Sequence, residues 1–273
     1  LKLSRERIRT WLALTGGHAM VLEYLVRQLQ QGAQDGPALE ASIRRTFMSY
    51  LDEEVVGQWS RDVQTFLMQV SVVDAFTLEM AESITGDDGS ALLLSRAERV
   101  GNLFSSTGEE WRIRPVLLET MQERAMREFG RRRVNRLLYN AGRYLESGGQ
   151  TMQALAVYGQ CGERDSILSI LVREARKHAG VGQYWALREY YQALSEEEVE
   201  REPVLMTALS LLHSVLMNTE QSEYWYARLK DYAANARGGD RSEANAQIAY
   251  LDIALPHRGS GELVRILKAA STL

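Results

Sequence analysis

The apolar positions of the first hundred residues recur every three to four residues, a spacing typical of amphipathic helices. Residues 1–36 are predicted to form helices with a corner at Thr15-Gly16-Gly17, where glycine supplies backbone freedom. A polar, glycine-rich linker follows at residues 30–37. Further helices are predicted over 39–58, after a cap at Ser60, from Thr77 to Gly86, and over 90–100.

The hydrophobic period then changes to that of short strands. Residues 102–106 and 111–114 are predicted to be extended and joined by a turn at Thr107-Gly108-Glu109-Glu110. Pro115 stands where a first helical residue is expected, and apolar residues follow it at helical spacing. Several helices, one hairpin and a closing helix predict a winged-helix-like domain over residues 39–129.

From Gly130 onward the pattern is helical throughout. Four pairs of apolar stripes are predicted to form helical hairpins, which recur at intervals of roughly 32–40 residues. The third pair joins a stripe ending at Val215 to one containing Trp225, and the fourth joins Ile248 to a stripe at 263–267. This spacing predicts a superhelix of tetratricopeptide-like (TPR-like) repeats over residues 130–273. The predicted fold class is therefore mainly all-α.

Two stretches carry a resemblance to a known family. "RVGNLFSSTGEEWRIRPVLLETMQER" (99–124) and "NRLLYNAGRYLESGGQTMQALAVYGQCGERDS" (135–166) together resemble the middle of ATP-dependent LuxR-type transcription regulators, the MalT-like family of STAND ATPases. That family places a helical extension, a winged helix and a superhelical sensor after its nucleotide-binding core. The resemblance implies a helical extension of the ATPase module at residues 1–38, before the winged-helix and repeat domains.

The resemblance also indicates which residues face a nucleotide. Gly17 and His18 lie in the family's first helical motif, where His18 and Ala19 replace an aromatic residue and a proline. Arg114, with Pro115, replaces a histidine pair, one member of which is thought to sense the β-phosphate. An arginine can bind a phosphate bidentately. Gly17, His18 and Arg114 are therefore the candidate cofactor-binding residues.

The function implied by the resemblance is regulatory and not enzymatic. We expect a central fragment of a longer cytoplasmic protein, because both ends look like cuts within helical patterns and the phosphate loop and helix-turn-helix are absent from it. The fragment itself is expected to hold no cofactor, whereas the full-length protein would bind ATP or ADP and hydrolyse ATP slowly. The expected partners are its own nucleotide-binding domain and an inducer, either a small molecule or a regulatory protein. DNA would be bound through the missing C-terminal domain alone.

Composition and residue spacing argue against DNA binding, a membrane span, a metal site and catalysis. The net charge of −4 gives no electrostatic reason for this segment to bind DNA, and no apolar run approaches the length of a membrane span. The four histidines lack a second ligand at zinc spacing, so no metal site is predicted. The single cysteine, Cys161, lies between apolar neighbours and is predicted to be a buried thiol. No catalytic residue is predicted, since the carboxylate runs 52–54 and 196–198 follow helix-end patterns.

Aromatic residues of the repeats are the candidate ligand-binding residues. Trp185, Tyr190, Tyr224 and Tyr226 exceed what the apolar stripes require, and at least some of them should leave the core face. Exposed rings on a concave superhelix are suitable anchors for a small ligand or peptide. Packing between helices is the alternative role.

Three other functions are alternatives to the regulator hypothesis. The first is a stand-alone helical-repeat scaffold for protein interaction, without a nucleotide partner. The second is direct DNA binding by the winged helix, which predicts salt-dependent association with duplex DNA. The third is an enzyme in a helical fold, for which the sequence offers only scattered carboxylates.

Overall fold

Helices dominate the computed structural model, which describes residues 4–15, 17, 19–98, 104–177 and 184–259. The predicted mainly all-α class is confirmed. The chain divides into two units, Leu1–Glu163 and Arg164–Leu273. None of the described helices combines the length and the apolar character needed to cross a membrane.

Eight helices and a small sheet are described in the first unit. The helices are α1 (Arg5–Thr15), α2 (Ala19–Gln30), α3 (Pro37–Tyr50), α4 (Arg61–Val70), α5 (Leu78–Thr85), α6 (Ser90–Glu98), α7 (Pro115–Ser147) and α8 (Thr151–Cys161). The strands are β1 (Ala75–Thr77), β2 (Phe104–Thr107) and β3 (Glu110–Ile113).

The helix predicted over residues 39–58 is shorter in the structure. Helix α3 ends at Tyr50, and a π-helical turn (Leu51–Val55) and a 3-10 turn (Val56–Gln58) follow it. Leu51 and Val56 are buried in these two turns. An apolar stripe alone cannot distinguish these turns from a continued α-helix, because both place side chains on one side of the chain.

The winged-helix arrangement of helices and hairpin is present in the first unit. Thr77 caps α5 as predicted, since its Oγ1 accepts a hydrogen bond from Met80 N at 3.2 Å. Gly86 ends the helix in the left-handed conformation, with φ of 72°. Ser60 occupies the N-cap position of α4, but its side chain makes no capping hydrogen bond.

The sheet contains one strand that the sequence pattern did not predict. Its order is β1-β3-β2, and both pairs are antiparallel. Strands β2 and β3 form the predicted hairpin, in which Phe104 pairs with Ile113 and Thr107 with Glu110. Strand β1 is three residues long and pairs Phe76 with Trp111. Asn102 and Leu103, predicted to begin the hairpin, lie outside the described residues.

Helix α7 joins the winged helix to the next helical pair. Gly130 interrupts its helical geometry with φ of 72° and ψ of 163°, so a kink lies where the sequence predicts the end of the winged-helix domain. Beyond the kink, α7 packs on α8 at Gly142, whose absent side chain leaves room for the buried ring of Tyr158. The domain boundaries at residues 38 and 129 remain predictions.

The second unit contains helices of very different length. These are α9 (Arg164–Ala175), α10 (Arg188–Gln192), α11 (Glu196–Glu200), α12 (Pro203–Val215), α13 (Thr219–Asn235) and α14 (Gly238–Ala254), followed by a 3-10 turn (Pro256–Arg258). The predicted partner of α9 is thus only a five-residue helix. Ser195 forms a full capping box with Glu198 at the start of α11, which explains the carboxylate run 196–198.

The third predicted hairpin is present as α12 and α13. Ser210 Oγ donates to Ser222 O at 2.9 Å, and Ser222 Oγ donates to Ser210 O at 2.8 Å. Both serines are completely buried, so two small side chains hold the helices close together. The prediction that Val215 belongs to this core is wrong: it is the last residue of α12 and is 56% exposed. The stripe at 263–267 lies outside the described residues.

Candidate functional site

The wing leads directly into helix α7 through a single residue, Arg114. Ile113 ends β3 and is buried, Arg114 is the N-cap residue in an extended conformation, and Pro115 is the first helical residue. Proline fits there because the first helical N–H has no partner within the helix. The position of Arg114 is therefore fixed on one side by the sheet and on the other by the helix.

The side chain of Arg114 contains an unsatisfied donor. Its Nε is buried and has no hydrogen-bond partner in the described parts of the chain. A buried N–H without an acceptor costs about 1–3 kcal/mol. The rest of the guanidinium is partly exposed, and the positive end of the α7 dipole would favour a negatively charged group beside it.

Gly17, the second candidate, forms the corner between α1 and α2. It has φ of 76°, which explains why glycine occupies this position. Gly17 N donates to Thr15 Oγ1 at 3.3 Å, and Thr15 Oγ1 donates to Trp11 O at 2.8 Å. Among the described residues no hydrogen bond joins Gly17 to Arg114. His18, the third candidate, lies outside the described residues.

An ion-pair cluster connects α7 to neighbouring elements further along the helix than Arg114. The sequence pattern did not predict it. Arg124 donates to Asp52 Oδ1 at 2.9 Å, to Glu128 Oε1 at 2.7 Å and to Gln64 Oε1 at 2.9 Å. The hydrogen bond from Arg124 is the largest cause of the lowered pKa of the Glu128 carboxyl. The cluster ties α7 to α4 and to the turn after α3. Asp52 and Gln64 precede Arg124 by 72 and 60 residues, so local spacing could identify only the Arg124–Glu128 pair.

The aromatic candidates of the second unit occupy different environments. Trp185 is 57% exposed, and the Arg188 guanidinium lies 5.0 Å from its ring centroid. Tyr190 is half-buried on α10. Tyr224 is 36% exposed and packs edge-to-face on Trp225, with ring centroids 5.0 Å apart.

Tyr226 is buried, in contrast to the exposed position expected of a ligand anchor. Its hydroxyl donates to Asp252 Oδ1 at 2.5 Å, and Arg258 and Lys230 lie 4.1 Å and 4.5 Å from its ring centroid. Burial and the bond to Asp252 raise the pKa of this hydroxyl. Tyr226 therefore packs between α13 and the end of α14, the role that the sequence analysis gave as the alternative.

A polar network beside Tyr226 has the composition of a catalytic triad. Ser214 Oγ lies 2.7 Å from His257 Nδ1, and His257 Nε2 lies 2.7 Å from Glu223 Oε1. A hydrogen bond from Arg258 lowers the pKa of Glu223 to about 2. Ser214 is completely buried, however, so its hydroxyl is not accessible to a substrate. The network holds the turn after α14 against α12 and α13.

The second unit has a cavity that the aromatic pattern did not predict. It measures about 400 Å³ and is lined by residues that include Glu200, Arg228, Asp231, Tyr232 and Asp240. None of the four predicted aromatic residues lines it.

The comparison with known families concerns the first unit. Residues 52–133 match the family model of the MalT winged helix domain. Over these residues the chain is similar to the MalT winged helix domain. The match begins in the turn after α3 and continues three residues past Gly130, so it includes Arg114 and the Arg124 cluster. It supports a MalT-like regulator. No curated protein sequence matches the chain.

Proposed function

We propose that this chain is the regulatory part of a cytoplasmic, ATP-dependent transcription regulator of the LuxR type. The observation that supports the proposal most is the MalT-type winged helix at residues 52–133. In this proposal the chain is not an enzyme. The full-length protein binds ATP or ADP in a separate nucleotide-binding domain and binds DNA through a C-terminal domain.

The proposed mechanism makes the winged helix an intramolecular clamp. With ADP bound, the winged helix holds the nucleotide-binding domain, and the partly exposed Arg114 side chain donates a hydrogen bond to an acceptor there. When the clamp is released, ATP replaces ADP and the protein assembles on DNA. Arg114 suits this role because the sheet and α7 fix its backbone while its side chain is only partly buried.

The proposed sensor is the helical second unit, as part of a TPR-like superhelix. Successive packing of α12, α13 and α14 supports this assignment. An inducer, either a small molecule or a protein, would bind there and weaken the clamp by stabilising the released state. Trp185, Tyr190 and Tyr224 remain candidate contacts, whereas Tyr226 is already occupied by Asp252 and Arg258.

The clamp is tested by Arg114→Ala in the full-length regulator. Loss of the donor should weaken the inhibited state, so transcription without inducer should rise by roughly tenfold if one charged hydrogen bond is lost. Arg96→Ala is the matched control, because Arg96 lies on the same winged helix, is exposed and pairs with Asp62 at 3.1 Å. If Arg114→Ala leaves basal transcription at the level of Arg96→Ala, Arg114 has no part in the clamp.

A further inference from the structure

A cleft of about 480 Å³ lies in the first unit, and Arg114 is not among its lining residues. Strand β1 lines one side of it, and α8 lines the other. Its apolar residues include Val72, Val73 and Phe76, all of which are at most 8% exposed. The volume lies within the range of ligand pockets.

Residues 72–77, which include strand β1, all line this cleft. It is an edge strand, since the sheet order is β1-β3-β2. Ile113 N donates to Asp74 O at 3.2 Å, and Ala75 pairs with Arg112 in the register. Because hydrogen-bonded and non-bonded pairs alternate in an antiparallel ladder, the N–H and C=O of Ala75 point away from β3. Ala75 itself lines the cleft.

Helix α8 presents amide side chains along the opposite side. Gln153 and Gln160 are exposed and line the cleft, with Ala156 and Val157 between them. Seven helical residues span roughly 10 Å, which is the length of about three extended residues. The amides therefore extend along a distance that matches the three residues of β1.

The charged residues that line the cleft favour binding of a cation. Arg112 pairs with Asp74 at 2.7 Å and with Glu110 at 3.1 Å, so two carboxylates face one guanidinium. A further carboxylate, Glu79, accepts a hydrogen bond at 3.3 Å from the hydroxyl of Tyr144, which also lines the cleft. The charged residues that line the cleft are Asp74, Glu110 and Arg112, so the lining carries net negative charge.

From these features we infer that the cleft binds an extended peptide with a lysine or arginine, which adds a strand to the free edge of β1. The peptide backbone pairs with Ala75, the glutamines of α8 bond its outer groups, and its cation lies near Asp74. This site is independent of the proposed nucleotide clamp, and neither proposal requires the other.

The test uses two fluorescein-labelled peptides, acetyl-Thr-Val-Lys-Val-Thr-amide and its variant with glutamate at the centre. Fluorescence anisotropy measures their binding to the whole chain. The lysine peptide should bind with a Kd below about 1 mM and the glutamate peptide more weakly. If the lysine peptide does not bind at protein concentrations up to about 1 mM, the proposal is wrong. Equal binding of both peptides would also overturn it.

Ala75→Pro tests the backbone pairing. Proline removes the N–H that faces the cleft and leaves the hydrogen bonds to β3, which use the neighbouring residues. The lysine peptide should bind roughly tenfold more weakly to Ala75→Pro, whereas Ala75→Ser should bind it like the original chain. Equal affinity of the two variants would contradict strand addition.

Asp74→Lys provides a test that does not depend on proline being tolerated. Asp74 is exposed, so its substitution leaves the core unchanged. The charge reversal should invert the order of peptide affinities, so that the glutamate peptide binds better than the lysine peptide. An unchanged preference would show that Asp74 does not recognise the peptide and would overturn the assigned chemistry.

Discussion

Substitution of Gly142 by alanine should destabilise the contact between α7 and α8. A Cβ at this position would lie 2.5 Å from Tyr158 Cε1 and 2.8 Å from Tyr158 Cδ1. The ring has little freedom to move, because Tyr158 is 1% exposed and its hydroxyl donates to Glu146 Oε2 at 2.9 Å. Overpacking of this kind costs about 1–3 kcal/mol.

The same substitution removes a glycine from a helix interior, which favours folding by about 1 kcal/mol. The clash should exceed this gain, so Gly142→Ala should lower the free energy of unfolding by up to about 2 kcal/mol. Gly159→Ala measures the gain from replacing a helical glycine alone, because a Cβ at Gly159 in α8 meets no atom within 4 Å. That variant should be equally stable or more stable by about 0.5–1 kcal/mol.

Urea unfolding of the whole chain, followed by far-UV circular dichroism, measures both variants. In a Tyr158→Ala background, the destabilisation by Gly142→Ala should disappear, because the clashing ring is absent. If Gly142→Ala and Gly159→Ala shift the unfolding midpoint equally and in the same direction, the close approach at Gly142 does not limit stability and the reasoning is wrong.

Two further predictions concern ionisable groups. A hydrogen bond from Arg164 lowers the pKa of Glu198 from 4.5 to about 2, so its contribution is complete above pH 4.5 and is lost as the pH falls towards 2. Arg164→Ala should therefore reduce the loss of folding stability over this pH interval, as measured by urea unfolding. An unchanged pH dependence would show that Arg164 is not the cause of the lowered Glu198 pKa. Burial raises the pKa of the Cys161 thiol, so a thiol reagent should react slowly until the protein unfolds. Rapid labelling of the folded protein would refute this.

Local sequence patterns predicted the elements whose ends are fixed by neighbouring residues. Thr77 forms its cap with Met80, three positions further on, so the start of α5 was recognisable from a short stretch. The hairpin of β2 and β3 was recognisable because its turn lies between the two strands. The corner at Gly17 follows from the φ of 76° that glycine adopts there.

Features that depend on distant residues were missed. Strand β1 is too short to show alternation, and it exists because Phe76 pairs with Trp111. The burial of Tyr226 depends on Asp252, which lies 26 residues further along the chain on α14, and on Arg258 beyond it. Arg114 was identified from the family resemblance, but its unsatisfied Nε became visible only with the packing around it.

The central claim is that this chain regulates a nucleotide-dependent transcription activator. The most direct measurement is to sequence the source gene outward from both ends of the chain. The account predicts a phosphate loop upstream and a helix-turn-helix domain downstream. If neither is encoded, the nucleotide clamp is wrong, and a helical-repeat interaction scaffold becomes the better description.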